Sequence, residues 1–123
     1  MFRQLLFIGI GGGIGSMLRY LVQWSVSRHI TMVFPMGTFI VNITGCFLIG
    51  LFYALALKEN MLNFEWRLFL ITGLCGGYTT FSSFSYENIE LLKNGHYLQF
   101  LLYTSLSIFA GLLCTLGGMA AGK

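Results

Sequence analysis

Charged side chains fall along this chain in small groups separated by long apolar runs, and the runs predict the elements. In order the charges are Arg3, Arg19, Arg28, Lys58, Glu59, Glu65, Arg67, Glu87, Glu90, Lys93 and Lys123. Residues 29–57 and 94–122 carry no formal charge, nor do residues 68–86. A helix crossing the hydrocarbon core needs about 20 apolar residues, so each gap is long enough for one crossing. The first gap, between Arg3 and Arg19, is too short for one, so the first helix must carry Arg19 within its run and continue through Tyr20, Leu21, Val22 and Trp24. The pattern therefore predicts four spans near 2–26, 33–57, 67–92 and 97–121. Their connections are short: Ser27-Arg28-His29 before Pro35, Lys58-Glu59-Asn60 before Trp66, and Lys93-Asn94-Gly95-His96. Trp24, Trp66 and Tyr97 stand near the boundaries, where amphipathic rings collect, and Pro35 suits a helix start. No small-residue cleavage site follows the first apolar run, so the first span is read as retained rather than removed.

Composition narrows the class further. Of 123 residues, 56% are hydrophobic and 9% charged, against roughly 25% charged in ordinary soluble domains. Four crossings use up the chain, so a single all-α membrane domain over residues 1–123 is expected, with no separate soluble domain. The net charge of +3 is scattered and includes no basic run to track phosphates, which excludes nucleic-acid binding. The apolar excess excludes disorder. With four crossings, Arg3, Lys58, Arg67 and Lys123 fall on one side and Arg19, Arg28 and Lys93 on the other. That bias is too small to fix one orientation. Insertion in both orientations follows as one reading, with an antiparallel homodimer as its simplest closed assembly; a single orientation is the other.

Polar and small residues inside the spans carry the chemistry. Glycine occurs 16 times, and Gly9/Gly13, Gly11/Gly15, Gly73/Gly77 and Gly118/Gly122 have the spacing that lets helices approach closely in lipid. The cluster from Gly9 to Gly15 never satisfies G-x-G-x-x-G and follows no predicted strand, so it is no dinucleotide loop. The segment Gly73-Leu-Cys-Gly-Gly-Tyr-Thr-Thr-Phe-Ser-Ser-Phe-Ser places breakers in mid-span. Each glycine costs roughly 1 kcal/mol relative to alanine in a helix. A break there would need its backbone groups buried in protein or facing a water cavity, and its freed carbonyls could bind a cation. A continuous helix whose hydroxyls bond back to the preceding turn is the other reading.

Beyond that segment, Phe81, Phe84 and Glu87 recur every third residue on one helix face, with Ser83 and Asn88 beside them. Thr38, Asn42 and Gly45 form a stripe on the second span, and Tyr103, Ser107 and Gly111 on the fourth. Asn42 sits mid-span, where its amide must find a partner, whether a ligand or a neighbouring helix. Amide and hydroxyl donors and the positive edges of aromatic rings suit an anion, and no acidic residue lies in this set before Glu87. Arg19 has the same sign, although a snorkelling arginine needs no ligand. Cys46, Cys75 and Cys114 lie in different spans and read as buried apolar residues rather than disulfides. No phosphate loop, carboxylate–histidine pair or metal-ligand cluster is present, so an enzyme is not expected.

Three stretches resemble the Fluc fluoride-channel family, also called CrcB-like: Gly11-Gly-Gly-Ile-Gly-Ser-Met-Leu-Arg19-Tyr20, Gly37-Thr-Phe-Ile-Val-Asn42-Ile-Thr-Gly45, and the run Gly73–Ser85. The third is the most specific; the fourth span matches mainly in its polar spacing. The resemblance implies an all-α protein of four transmembrane helices with a break in helix 3. It also implies a dual-topology antiparallel homodimer in a bacterial-type plasma membrane, with two fluoride pores. It implies that Phe81 and Phe84 are ring-edge stations, that Asn42 donates to fluoride, and that Tyr103 and Ser107 extend the polar track, which Ser82, Ser83 and Glu87 finish. Arg19 would shape a vestibule. Gly76 and Thr79 would give backbone carbonyls from both subunits to a structural sodium ion, with no organic cofactor. Ser83 stands where the family often has threonine, keeping the hydroxyl. Gly111 supplies none, so Thr104 or Thr115 would have to substitute.

The activity so implied is passive: hydrogen fluoride enters neutral, ionises inside, and the anion leaves down its electrochemical gradient. A small dual-topology proton-coupled multidrug exporter shares the length and span count, but it needs an acidic residue deep in the first helix, and residues 2–26 contain none. A passive structural subunit would need neither the polar track nor the break.

Overall fold

Leucine, isoleucine, phenylalanine and glycine dominate from Phe2 to Gly15, no proline interrupts them, and the helix they start does not stop at the expected boundary. The computed structural model, which describes residues 1–58 and 62–123, has α1 at Phe2–His29, α2 at Met36–Leu57 and α3 at Phe64–Arg67. A π-helical stretch at Leu68–Cys75 follows, then α4 at Gly76–Tyr78, α5 at Phe81–Lys93 and α6 at Tyr97–Ala121. Among the described residues there is no strand. Ser27, Arg28 and His29, expected in a connection, form the last turn of α1. Nothing breaks the helix before Pro35, and basic side chains suit its negative C-terminal end; Ser27 Oγ and the His29 ring bond back to the Trp24 and Ser25 carbonyls. Glu59 and Asn60 of the second connection lie outside the described residues.

The third segment is not one helix over 67–92. Asn63 caps its start by accepting the Trp66 N–H at 2.9 Å, and the backbone stays helical through Tyr78. Thr79 (φ −82°, ψ 158°) and Thr80 (φ −149°, ψ 119°) are extended, and helix resumes at Phe81. α5 ends in a tight reversal in which Gly95 takes φ 76°, a conformation that favours glycine, and the His96 N–H closes onto the Leu91 carbonyl at 2.9 Å.

Missing side chains set which helices meet. α1 lies against the π-helical stretch and α4: a Cβ added to Gly11 would run into the Phe69 carbonyl, one on Gly15 into the Leu74 carbonyl, and one on Gly77 into the Gly12 carbonyl. α2 and α6 meet in the same way, Gly50 against the Thr115 carbonyl and Gly118 against the Phe47 carbonyl. Gly9 and Gly13 face open space within the chain. Such contacts are the main source of helix association where lipid is as apolar as leucine.

The polarity of the molecule is inverted relative to a water-soluble bundle. Tyr103, Thr38, Thr80 and Asn88 are buried, whereas Leu101, Phe109, Leu112, Leu113 and Leu116 of α6 stand exposed. Large apolar side chains facing outward incur no penalty in hydrocarbon, and α1, α2 and α6 are each long and apolar enough to cross it. The chain is an integral membrane protein.

Gly15→Ala is expected to destabilise the protein by about 1–3 kcal/mol, because overpacking must push α1 off the Leu74 carbonyl. Gly13→Ala, with open space at the same helix, should cost much less. Thermal unfolding in detergent distinguishes the two.

Candidate functional site

Two extended residues at membrane depth release helical backbone groups, and each one left unpaired in hydrocarbon costs several kcal/mol. The surrounding side chains take them up. Asn42, on α2, presents its carboxamide to the peptide groups of Thr80: Asn42 Nδ2 donates to the Thr80 carbonyl at 3.2 Å, and the Thr80 N–H donates to Asn42 Oδ1 at 2.9 Å. Thr80 then caps α5, its hydroxyl accepting the Ser83 N–H at 3.2 Å and pairing with Ser82 Oγ at 3.3 Å. Thr79 closes the other side, its N–H and hydroxyl both donating to the Cys75 carbonyl at 3.0 and 2.9 Å.

Arg19 reaches the same place from α1. Its Nε donates to the Gly77 carbonyl at 3.1 Å, at the C-terminal end of the helical run, where a positive charge is favoured. In an unbroken helix the Gly76 carbonyl would accept the Thr80 N–H, but that proton is directed to Asn42, so the Gly76 oxygen loses its helical donor.

A groove of about 340 Å³ opens beside the extended pair, lined among others by Asn42, Thr79, Thr80, Phe81, Phe84 and Ser107. The Phe81 and Phe84 rings lie 5.7 Å apart at 43°, and Phe81 is 79% exposed. Ser107 Oγ is buried with no hydrogen-bond partner. Cys46 also lines the groove, with its Sγ 3.4 Å from where a Gly111 side chain would begin. All three cysteines are free thiols. Among the described residues no carboxyl or ammonium group lines this groove.

A second hollow of about 320 Å³ collects Gln23, Thr38, Ser83 and Glu87 beneath the connection from α1 to α2. Both oxygens of the Glu87 carboxyl accept hydrogen bonds, Oε2 from Thr38 Oγ1 at 2.8 Å and Oε1 from Tyr103 Oη at 2.9 Å. Tyr103 is fully buried; its ring lies 5.0 Å from that of Phe84, so it stands between the two openings.

The residues singled out from the sequence thus divide. Asn42, Thr79, Phe81, Phe84 and Ser107 come together in the groove; Ser83 and Glu87 belong to the second hollow; Tyr103 links them. Ser82 is exposed at the start of α5, while Arg19 and Gly76 are on the backbone behind the extended pair. Thr104 and Thr115 do not replace the hydroxyl absent at Gly111: the first donates to Asn88 Oδ1 at 3.2 Å, the second back to the Gly111 carbonyl at 3.0 Å. Thr80 and Gln23 were not singled out. A threonine three residues before Ser83 was the available signal for the first, being the spacing of a helix N-cap. Gln23 lies in an otherwise apolar turn with no motif around it.

Among the described residues no three His, Cys, Asp or Glu side chains cluster as metal ligands. Backbone and hydroxyl oxygens are what the interruption offers to a cation. The groove offers an anion amide and hydroxyl protons and ring edges.

Asn42→Ala should strand the N–H and carbonyl of Thr80 at a cost of about 1–3 kcal/mol for each group left unpaired. Asn42→Gln, which keeps both a donor and an acceptor without adding charge, should be less damaging. Thermal melts of the three proteins in one detergent order them.

The family model described as CrcB-like protein, Camphor Resistance (CrcB), matches residues 6–119. A protein of Flavobacterium psychrophilum is 48% identical over 121 residues, 98% of each chain. One from Phocaeicola vulgatus is 50% identical over 117 residues, covering 95% of this chain and 96% of its own. One from Azobacteroides pseudotrichonymphae is 46% identical over 118 residues, covering 96% and 94%. All three carry the name fluoride-specific ion channel FluC. With nearly its whole length matched, the chain belongs to the CrcB-like family.

Proposed function

We propose that this protein is a fluoride channel that lets the anion leave the cell passively, down its electrochemical gradient. The observation that carries the reading is the groove at the interrupted third segment, a lining of donors and ring edges without an acid, in a chain whose relatives are named fluoride-specific ion channels. Fluoride is small and strongly hydrated, so a path through hydrocarbon must replace its water with donors already in place. Asn42 Nδ2 has two protons and gives one to the Thr80 carbonyl, leaving one for the groove. Ser107 brings a hydroxyl without a partner. The rings of Phe81 and Phe84 contribute edges, the positive part of the aromatic quadrupole.

The working unit is an antiparallel homodimer. Its support is the Phe81 ring, which a single chain leaves 79% exposed at the mouth of its own groove, together with a charge distribution that favours neither orientation. A structural sodium ion fits the interruption: the Gly76 carbonyl is without its helical donor, the Thr79 carbonyl lies in extended backbone, and hard oxygen donors suit a hard cation. Gly76 and Thr79 of both subunits would hold it. Bound there, sodium would supply positive charge between the two interruptions, while Arg19 donates to the adjacent Gly77 carbonyl.

Liposomes loaded with fluoride and carrying the purified protein should release it, and chloride-loaded liposomes should not; intact dimers that release no fluoride would overturn the reading. Phe84→Leu, which keeps the bulk and removes the ring edge, should slow release roughly tenfold, the upper range for an aromatic contact. Replacing sodium by a large organic cation throughout purification should shift the protein from dimer to monomer in size-exclusion chromatography. Unchanged dimers in thoroughly sodium-free buffer would count against the ion.

A further inference from the structure

We propose that Gln23 is a positioning residue: it fixes the direction in which the Thr38 hydroxyl donates, and through Thr38 it holds the Glu87 carboxyl in place between two openings. The inference rests on the channel reading for its consequence, although its geometry stands apart from it.

Gln23 belongs to the C-terminal part of α1, beyond the glycines that pack this helix on the third segment. It meets the start of α2 at Gly37, where an added Cβ would lie 3.4 Å from Gln23 Cγ and 3.5 Å from Gln23 Cα. These are ordinary contact distances, and Gln23 Nε2 donates to Thr38 Oγ1 at 3.1 Å. An amide nitrogen can only donate, and a hydroxyl has a single proton. Thr38 therefore accepts from Gln23 and gives its proton to Glu87 Oε2 at 2.8 Å. Thr38 is 2% exposed, and both of its partners are protein side chains. Tyr103 Oη completes the set on Oε1.

The place of Glu87 gives this chain of bonds its weight. Its carboxyl lines the hollow beneath the α1–α2 connection and also a neighbouring one of about 300 Å³ with Glu90, Asn94 and His96. Glu90 faces Lys93 at 3.9 Å, so it is already engaged within α5. A Glu87 side chain free to swing would place its acceptor oxygens in one opening or the other, on a route meant for an anion. Two hydroxyl donors from α2 and α6 prevent that, and the α2 donor keeps its direction only while Gln23 occupies its oxygen. Without the amide, the Thr38 hydroxyl can turn back to the carbonyl of the preceding turn, as helical threonines readily do.

The experiment uses the full-length protein as wild type, Gln23→Leu, Glu87→Gln and the double variant. Infrared spectra in detergent, subtracted pairwise with and without Glu87→Gln, isolate the stretching bands of the Glu87 carboxyl; fluoride release is measured in liposomes. Gln23→Leu is expected to shift those bands and to lower release roughly tenfold, the scale of one hydrogen bond to an ionisable group. It should add nothing further in the Glu87→Gln background. Unshifted bands, or an equal loss of release with and without Glu87, would overturn the proposal and leave Gln23 as helix-packing glue. If Gln23→Leu does not fold, Gln23→Met, which keeps the length and removes the donor without adding a charge, takes its place with the same expectations. The infrared bands need no transport, so a wild type that releases no fluoride sinks the channel reading while this test still gives its answer.

Discussion

Hydrocarbon offers no hydrogen bonds, and the pairing of one carboxamide with the peptide groups of Thr80 is the answer on which this molecule depends. Asn42 serves as a replacement for a turn of helix, with acceptor and donor both in use. Because it does so from α2, the interruption is tied to a neighbouring helix rather than left to fluctuate. Thr80 then restarts the helix as a cap, which aims Phe81 and Phe84 into the groove. The same bonds that make the extended pair tolerable also place the groups that line the groove.

The close approach of α1 follows from the same requirement. Arg19 can reach the Gly77 carbonyl only because Gly11, Gly15, Gly73 and Gly77 let the two backbones nearly touch. Small residues thus do more than associate helices; they bring a positive charge to the open end of a helical run that has lost its next turn.

Much of this was legible in the order of the residues. The gaps between charges marked α1, α2 and α6, since a crossing needs length and little else, and the glycine and threonine run around Thr79 marked the irregular backbone. The end of α1 was misjudged, because Ser27, Arg28 and His29 look like a connection by polarity yet suit a helix terminus by charge. Partnerships were less legible than positions. Asn42 plainly needed a partner, but nothing in the spacing says that Thr80 is it, thirty-eight residues away. Glu87 and Tyr103 align with the groove residues on helical periodicity, yet the carboxyl turns instead to Thr38 and Tyr103, because tilt and close packing, which periodicity does not encode, decide which neighbour a long side chain meets.

The division of the third segment also bears on how such a chain gets into a membrane. α1, α2 and α6 each have the length and apolarity to partition as independent helices. The stretch from Phe64 to Lys93 does not: it comes in two halves, and the second carries Glu87, Glu90 and Lys93, residues of a kind that oppose insertion by about 2.5–3.5 kcal/mol each at mid-bilayer. Its integration is therefore coupled to helices already present, α1 receiving its first half through glycine and α2 its junction through Asn42. On these energetics insertion is cooperative at that step, and Asn42 serves as a receptor for its own chain.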